Sequence, residues 1–199
     1  MKFLNSGKED AYHHLKLRIA TDDETAFRQL FEQLFPHLSQ FAFSLVKSKE
    51  ASTEIADEIF IRLWHNRKEI AAIENLKVYL YKAAKNSSLN YLARTAKRNV
   101  EEPFDEVHVQ LMDGLTPESL MITNEILGKI REAVEGLPPR CKMIFKLIRE
   151  DGLKYKEVAD VLNISVKTVD AQMVIAVNAI REKLKMHLDL PVKKIFQKK

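Results

Sequence analysis

One cysteine, five glycines and six prolines are all that 199 residues contain of these types. A lone thiol, Cys141, excludes an internal disulfide and any metal site built on paired cysteines. Its neighbours Met143, Ile144 and Phe145 mark it as an inert core thiol rather than a redox group. So few glycines and prolines leave little material for tight hairpins, and no stretch shows a strand period that outcompetes a helical one. No apolar run approaches the roughly 20 residues of a membrane helix, and the opening MKFLNSGKED lacks the apolar segment of a secretory signal. These absences predict an all-α, cytoplasmic protein. There is no glycine-rich phosphate loop, and the histidines (His13, His14, His37, His65, His108, His187) show no ligand spacing with carboxylates. An enzyme, a bound metal, a cofactor and a small-molecule substrate are therefore not expected.

Hydrophobic residues make up 46% of the chain and charged residues 30%, a balance that builds a soluble core. The net charge of +4 is too small to identify a polyanionic partner. Its distribution says more. Residues 76–98 hold Lys77, Lys82, Lys85, Arg94, Lys97 and Arg98 and no acid. Residues 99–128 hold Glu101, Glu102, Asp105, Glu106, Asp113, Glu118 and Glu125 and no Lys or Arg. The end of the chain is basic again.

Apolar spacing divides the chain into two helical domains. After an N-terminal extension (residues 1–21), Phe27, Leu30, Phe31, Leu34, Phe35, Leu38, Phe41, Ala42 and Leu45 recur at intervals of three and four, a broad helical stripe. Thr21 or Asp22 is expected to cap this helix, and Pro36 to kink or split it. A second helix, ASTEIADEIFIRLWHNR, turns Ile55, Ile59, Phe60 and Leu63 inward. A third, from about Asn75 to Arg98, places Leu76, Tyr79, Leu80, Ala83, Leu92 and Ala96 near one side. These form a domain over residues 22–98. Residues 99–119 lack a period, carry Pro103, Gly114 and Pro117, and read as an acidic linker. Residues 120–188 form a second helical domain, with Gly136 and Gly152 as helix stops, and residues 189–199 a basic tail.

Within the second domain, DGLKYKEVADVLNISVKTVDAQM packs two short amphipathic patterns against one another. Val158, Val161 and Leu162 face inward on the first, and Ala159 is small where a second helix must cross. Asn163 sits where the chain reverses and tolerates the left-handed conformation. Ser165 is a natural N-cap for the next helix, whose inward face is Val169, Met173, Ala176 and Ile180. A small residue, a turn residue four on and a β-branched residue six further on is the helix-turn-helix layout. The alternative is a pair of core helices joined by a short turn. In the DNA-binding reading, Lys167, Thr168, Asp170, Ala171 and Gln172 lead into the major groove, with Val174 and Ile175 one turn on.

The stretch LPPRCKMIFKLIREDGLKYKEVADVLNISVKTVDAQMVIAVNAIREKL resembles region 4 of RNA polymerase sigma factors of the sigma-70 family, extracytoplasmic-function (ECF) type. AFRQLFEQLFPHLSQFAFSLV, ADEIFIRLWHNR and LKVYLYKAAKNSSLNYLARTAKR are similar to region 2 of the same family. The resemblance runs from about Asp22 to Leu188, with both regions in order. It implies a promoter-specificity subunit without catalysis of its own. Region 2 would bind core RNA polymerase and open the −10 element, region 4 would read the −35 element, and an anti-sigma factor, often membrane-bound in this family, would hold the protein.

Carried over residue by residue, DEIFIRLW matches the core-binding helix, with Asp57, Glu58, Arg62 and Trp64 as contacts, although the family's usual glutamine is Asp57 here. Phe60 and Leu63 belong to the core. The −10 helix supplies Tyr81, Lys82, Lys85, Asn86, Asn90, Arg94 and Arg98. Rings stack on unpaired bases while cations track phosphate. Tyr79 is a second ring, although it falls on the inward stripe. The loop KEIAAIEN matches the family's −10 specificity loop, which holds a flipped base. Tyr155, Lys156, Ser165, Lys167, Thr168, Asp170, Ala171, Gln172, Val174 and Ile175 match the −35 contacts.

The recognition helix departs from the family most. Asp170, Ala171, Gln172, Val174, Ile175 and Val177 stand where Arg and Lys are usual, and only Lys167 and Arg181 remain before Lys183. Each lost phosphate contact removes counterion-release affinity, so a weak −35 interaction is expected. Gln172 suits adenine and Thr168 a thymine methyl. Val174 and Ile175 are either apolar base contacts or a dry patch under another protein. Two rival functions are a LuxR-like helix-turn-helix regulator, whose N-terminal half would need strands, and a helical adaptor, which would not need an acid-free basic helix.

Overall fold

The computed structural model describes residues 12–96 and 121–185, and among them every regular element is helical. The all-α class expected from the sequence is the one observed. Chain contacts define two compact units, one built on the first four α-helices and one on the last four.

The first unit opens with α1 (His13–Ala20), which buries Ile19 and, unexpectedly, Lys16. It ends in a tight reversal: Asp22 has φ 68°, and the Asp22 and Asp23 amides donate to the carbonyls of Ile19 (3.0 Å) and Arg18 (3.2 Å). That left-handed turn makes Asp22 the exit residue of α1, so neither it nor Thr21 caps α2 as the sequence had suggested. Asp23 does, accepting from the Ala26 amide at 2.9 Å.

Helix α2 (Glu24–Val46) runs on through Pro36 as one element, so the proline does not split it. Pro36 cannot bond the Glu32 carbonyl, but Pro36 and Glu32 both face solvent, where water can take that carbonyl up. Leu34 and Leu38 are buried on either side of the proline. Each buried leucine contributes roughly 2 kcal/mol of transfer free energy.

Ser48 caps α3 (Lys49–His65) by accepting from the Ala51 amide at 3.2 Å. Ile55, Ile59, Phe60 and Leu63 are buried as expected, with Phe60 edge-on to Phe31 at 4.9 Å. A 3-10 turn (Arg67–Ala72) leads to α4 (Leu76–Ala96), which Asn75 caps through the Val78 amide at 3.0 Å. The inward face of α4 is Leu76, Val78, Leu80, Tyr81, Ala84 and Ser88. Of the stripe expected from the sequence, Leu76 and Leu80 are buried and Ala83 and Leu92 half-buried, while Tyr79 and Ala96 are exposed.

The second unit joins α5 (Met121–Glu135), α6 (Pro139–Arg149), α7 (Tyr155–Leu162) and α8 (Val166–Lys185). Ala133, Val134, Leu137 and Cys141 pack on Ala176, Ile180 and Leu184. Pro139 starts α6, where its missing amide costs nothing. Glu135 links α5 to α6, accepting from Lys142 Nζ at 3.2 Å and Lys146 Nζ at 3.3 Å. Gly152 ends α6 with φ 67°. Cys141 is buried, its thiol donating to the Gln172 carbonyl at 3.2 Å, and burial pushes its pKa up. Arg98, the linker at 99–119 and the tail at 189–199 lie outside the described residues.

Candidate nucleic-acid interface

In the second unit the reversal between α7 and α8 has the geometry its residues suggested. Asn163 adopts φ 56° and ψ 50°, and the Ile164 amide returns to the Ala159 carbonyl at 3.0 Å. Ser165 Oγ accepts from the Thr168 amide at 3.0 Å and lies 2.8 Å from Thr168 Oγ1. The Thr168 hydroxyl is thus tied into the cap. At the start of α7 the Glu157 carboxylate accepts from the Lys154 amide at 2.7 Å. Tyr155 is half-buried and Lys156 exposed.

Val158, Val161, Val169, Met173, Ala176 and Ile180 are buried, which fixes the outward face of α8. Lys167, Asp170, Ala171, Val174 and Ile175 occupy it, with Gln172 half-buried at its edge. Val174 is 53% and Ile175 47% exposed. In its first three turns this face holds one cation, one carboxylate and a cluster of methyl groups.

On α4 the aromatic pair divides. Tyr81 is 0% exposed, its ring 5.2 Å from that of Phe41, whereas Tyr79 is 48% exposed. Tyr81, expected to offer a ring face to bases, therefore cannot do so; the ring that reaches solvent is Tyr79. The cause is helical phase, since Tyr81 shares the inward row with Ala84 and Ser88. Asn86, Asn90 and Arg94 are exposed and Lys82 and Lys85 half-buried. Leu89, exposed and unassigned in the sequence reading, lies in the outward row with Tyr79, Lys82, Asn86 and Ala93.

The expected polymerase contacts fall on two edges of α3. Glu58 and Arg62 form an exposed i,i+4 pair at 3.0 Å, and Arg62 also reaches Ser87 Oγ of α4 at 3.5 Å. Asp57 and Trp64 lie on the other edge, both half-buried. Trp64 packs on Phe27 at 4.9 Å and carries the Arg67 guanidinium 4.6 Å above its ring. Between the edges projects Ile61, 56% exposed. No motif in the sequence gives it a role; its one signal there is an isoleucine off the inward phase of the helix. A groove of about 480 Å³ between α3 and α4 brings together Glu58 and Arg62 with Asn90, Tyr91 and Arg94.

Two family models match the chain. Sigma-70 region 2 covers residues 30–98, which include most of α2 and all of α3 and α4. Sigma-70 region 4 covers residues 127–178, which include the α7–α8 turn. The ECF RNA polymerase sigma-E factor of Escherichia coli K12 is 25% identical over 174 residues, spanning 84% of this chain and 91% of that protein. Its counterpart in Haemophilus influenzae is 24% identical over 174 residues, spanning 84% and 92%. The chain belongs to the sigma-70 family of RNA polymerase sigma factors, ECF type.

As a sigma factor it directs transcription initiation. Two solved structures share its fold. CnrH, in complex with the cytosolic domain of CnrY, matches 90% of this chain and 100% of its own with a TM-score of 0.51 at 18% identity. The sigma factor RpoE from Bartonella quintana, in complex with the anti-sigma factor NepR, matches 81% and 98% with a TM-score of 0.54 at 18% identity. Among the described residues of this sigma factor, no helix is long and apolar enough to cross a membrane, and no histidine, cysteine or carboxylate cluster suits a metal ion. Its α1 precedes the region 2 match, which starts at residue 30.

Proposed function

We propose that this cytoplasmic, non-catalytic sigma factor divides its work among three faces. The outward face of α4 and the loop before it open the −10 element. The observation that carries this is the composition of that face: a ring at Tyr79, amides at Asn86 and Asn90, cations at Lys82, Lys85 and Arg94, and no carboxylate from Leu76 to Ala96. Unpaired bases stack on rings and their phosphates seek cations, so an acid-free aromatic and basic face suits melted DNA. The exposed ridge of α3, with Ile61 between Asp57, Glu58, Arg62 and Trp64, docks on core polymerase.

The outward face of α8 reads the −35 element. Lys154, Lys156 and Lys167 stand exposed at or beside the starts of α7 and α8 and suit phosphate, while Ala171, Val174 and Ile175 meet base edges. Methyl-bearing side chains select thymine methyl groups, and Asp170 accepts from a cytosine amino group. With so few cations this contact is weak, and the holoenzyme relies on region 2. An anti-sigma factor holds the protein between uses, a reading supported by the fold shared with RpoE in its NepR complex.

Run-off transcription with bacterial core polymerase on a randomised promoter library tests the whole reading. Co-elution with core and transcripts enriched for a common −10 element are expected. Absence of both would overturn it. Lys82→Glu with Lys85→Glu isolates the α4 face: promoter opening falls while co-elution survives.

A further inference from the structure

We propose that Lys16 is a positioning residue for the −10 loop, acting from a helix that precedes the matched region 2. The proposal rests on the reading of residues 68–75 as that loop. Lys16 is 3% exposed, although lysine almost never lies inside a fold without partners. Its Nζ donates to the Ile73 carbonyl and lies 3.5 Å from the Glu74 carbonyl. Both acceptors belong to the last residues of the loop, directly before the α4 cap Asn75.

The other end of the loop is held as well. Arg67 Nε pairs with the Asp22 carboxylate in the α1–α2 turn, and its Nη1 donates to the Trp64 carbonyl at 3.0 Å. Beneath the loop Ile70 is buried, as is Ile19 of α1. Lys68, Glu69, Ala71, Ala72 and Glu74 remain exposed. The loop is thus fastened at both ends to α1 and its turn, with its middle presented to solvent. A buried ammonium requires acceptors, and carbonyls in an irregular segment have no ladder to join. Each satisfies the other, which fixes the path of the chain from the presented residues into the first turn of α4, where Tyr79 stands. A leucine or methionine at position 16 would fill the space but leave the two carbonyls free to turn outward.

The test uses the full chain with Lys16→Met, and Lys16→Gln should the first variant not fold. Hydrogen exchange across residues 66–76 should quicken roughly tenfold while α2 and α3 keep their protection. With core polymerase and a randomised −10 library, base preference should flatten while co-elution with core is unchanged. Lys68→Ala with Glu69→Ala serves as the reference for the loop itself. If exchange across 66–76 is unchanged in a folded variant, Lys16 does not hold the loop. If the loop variant alters base preference and the Lys16 variant does not, Lys16 does not position it. If neither alters preference although exchange quickens, it is the assignment of this loop to the −10 element that fails.

Discussion

The Tyr81 ring lies buried 5.2 Å from Phe41, while Tyr79, two residues earlier on the same helix, is 48% exposed. The two tyrosines therefore do different work, one in packing and one at the surface. Tyr81→Ala should cost about 3 kcal/mol of stability by emptying a core position. Tyr79→Ala should leave stability within about 0.5 kcal/mol yet lower promoter opening roughly tenfold, as expected for the loss of one stacked base. Thermal melts and permanganate footprinting of the −10 region separate the two. Equal effects of both substitutions on opening at matched stability would contradict the assignment.

Ile61 stands out among the residues of α3 because an exposed isoleucine contributes nothing to the core it turns away from. As the apolar centre of a ridge rimmed by charge, it has the character of an interface anchor. Ile61→Ser should weaken association with core polymerase by about 2 kcal/mol, read by competition against a second sigma factor. Reversing the exposed Glu58–Arg62 pair should change affinity by less than about 1 kcal/mol. A larger effect from the ion pair than from the isoleucine would place the anchor elsewhere.

The methyl-rich face of α8 makes a prediction about DNA chemistry. Replacing thymines of the selected −35 element by uracil removes only C5 methyl groups, and each contacted position should cost about 1 kcal/mol. Val174→Ala and Ile175→Ala should blunt that sensitivity. The salt dependence of −35 binding should be shallow, with a slope reflecting about three phosphates from Lys154, Lys156 and Lys167. Measured within the holoenzyme, a uracil-insensitive but well-defined −35 preference would point to hydrogen-bond readout instead. Loss of protein–protein association on Val174→Ala, with DNA binding intact, would point to a partner protein on this face.

Local rules were legible where one residue type dictates one conformation. Asn163 takes the left-handed turn and Ser165 the cap because few other side chains serve there as well. Phase was harder to read on α4. Its inward face includes Tyr81, Ala84 and Ser88, and its outward face includes Tyr79 and Leu89, so apolar residues lie on both sides and periodicity has little contrast. The cap of α2 was displaced to Asp23 because three adjacent residues qualify, and the choice was made by how α1 ends. Lys16 was invisible for a different reason. A buried lysine is specified by carbonyls 57 and 58 residues away, which no local pattern encodes. Pro36 does not split α2 because the carbonyl it leaves without an amide partner belongs to an exposed residue, where water can reach it.

Asp23 ties the stability of the first unit to pH. The Ala26 amide, and after it the Arg18 guanidinium, hold its carboxyl below the usual carboxylate range. With the folded value below the unfolded one, near 4, its stabilisation is complete above the unfolded value and is lost as pH falls through the folded one. Asp23→Asn keeps a competent N-cap but has no charge to titrate. At neutral pH the wild type should melt above Asp23→Asn, and the gap should narrow as pH falls from neutral into the acid range below the unfolded value. Melting curves recorded by circular dichroism across that range check the sign. A gap that persists unchanged at pH 2 would show that the cap, and not the charge, accounts for the difference.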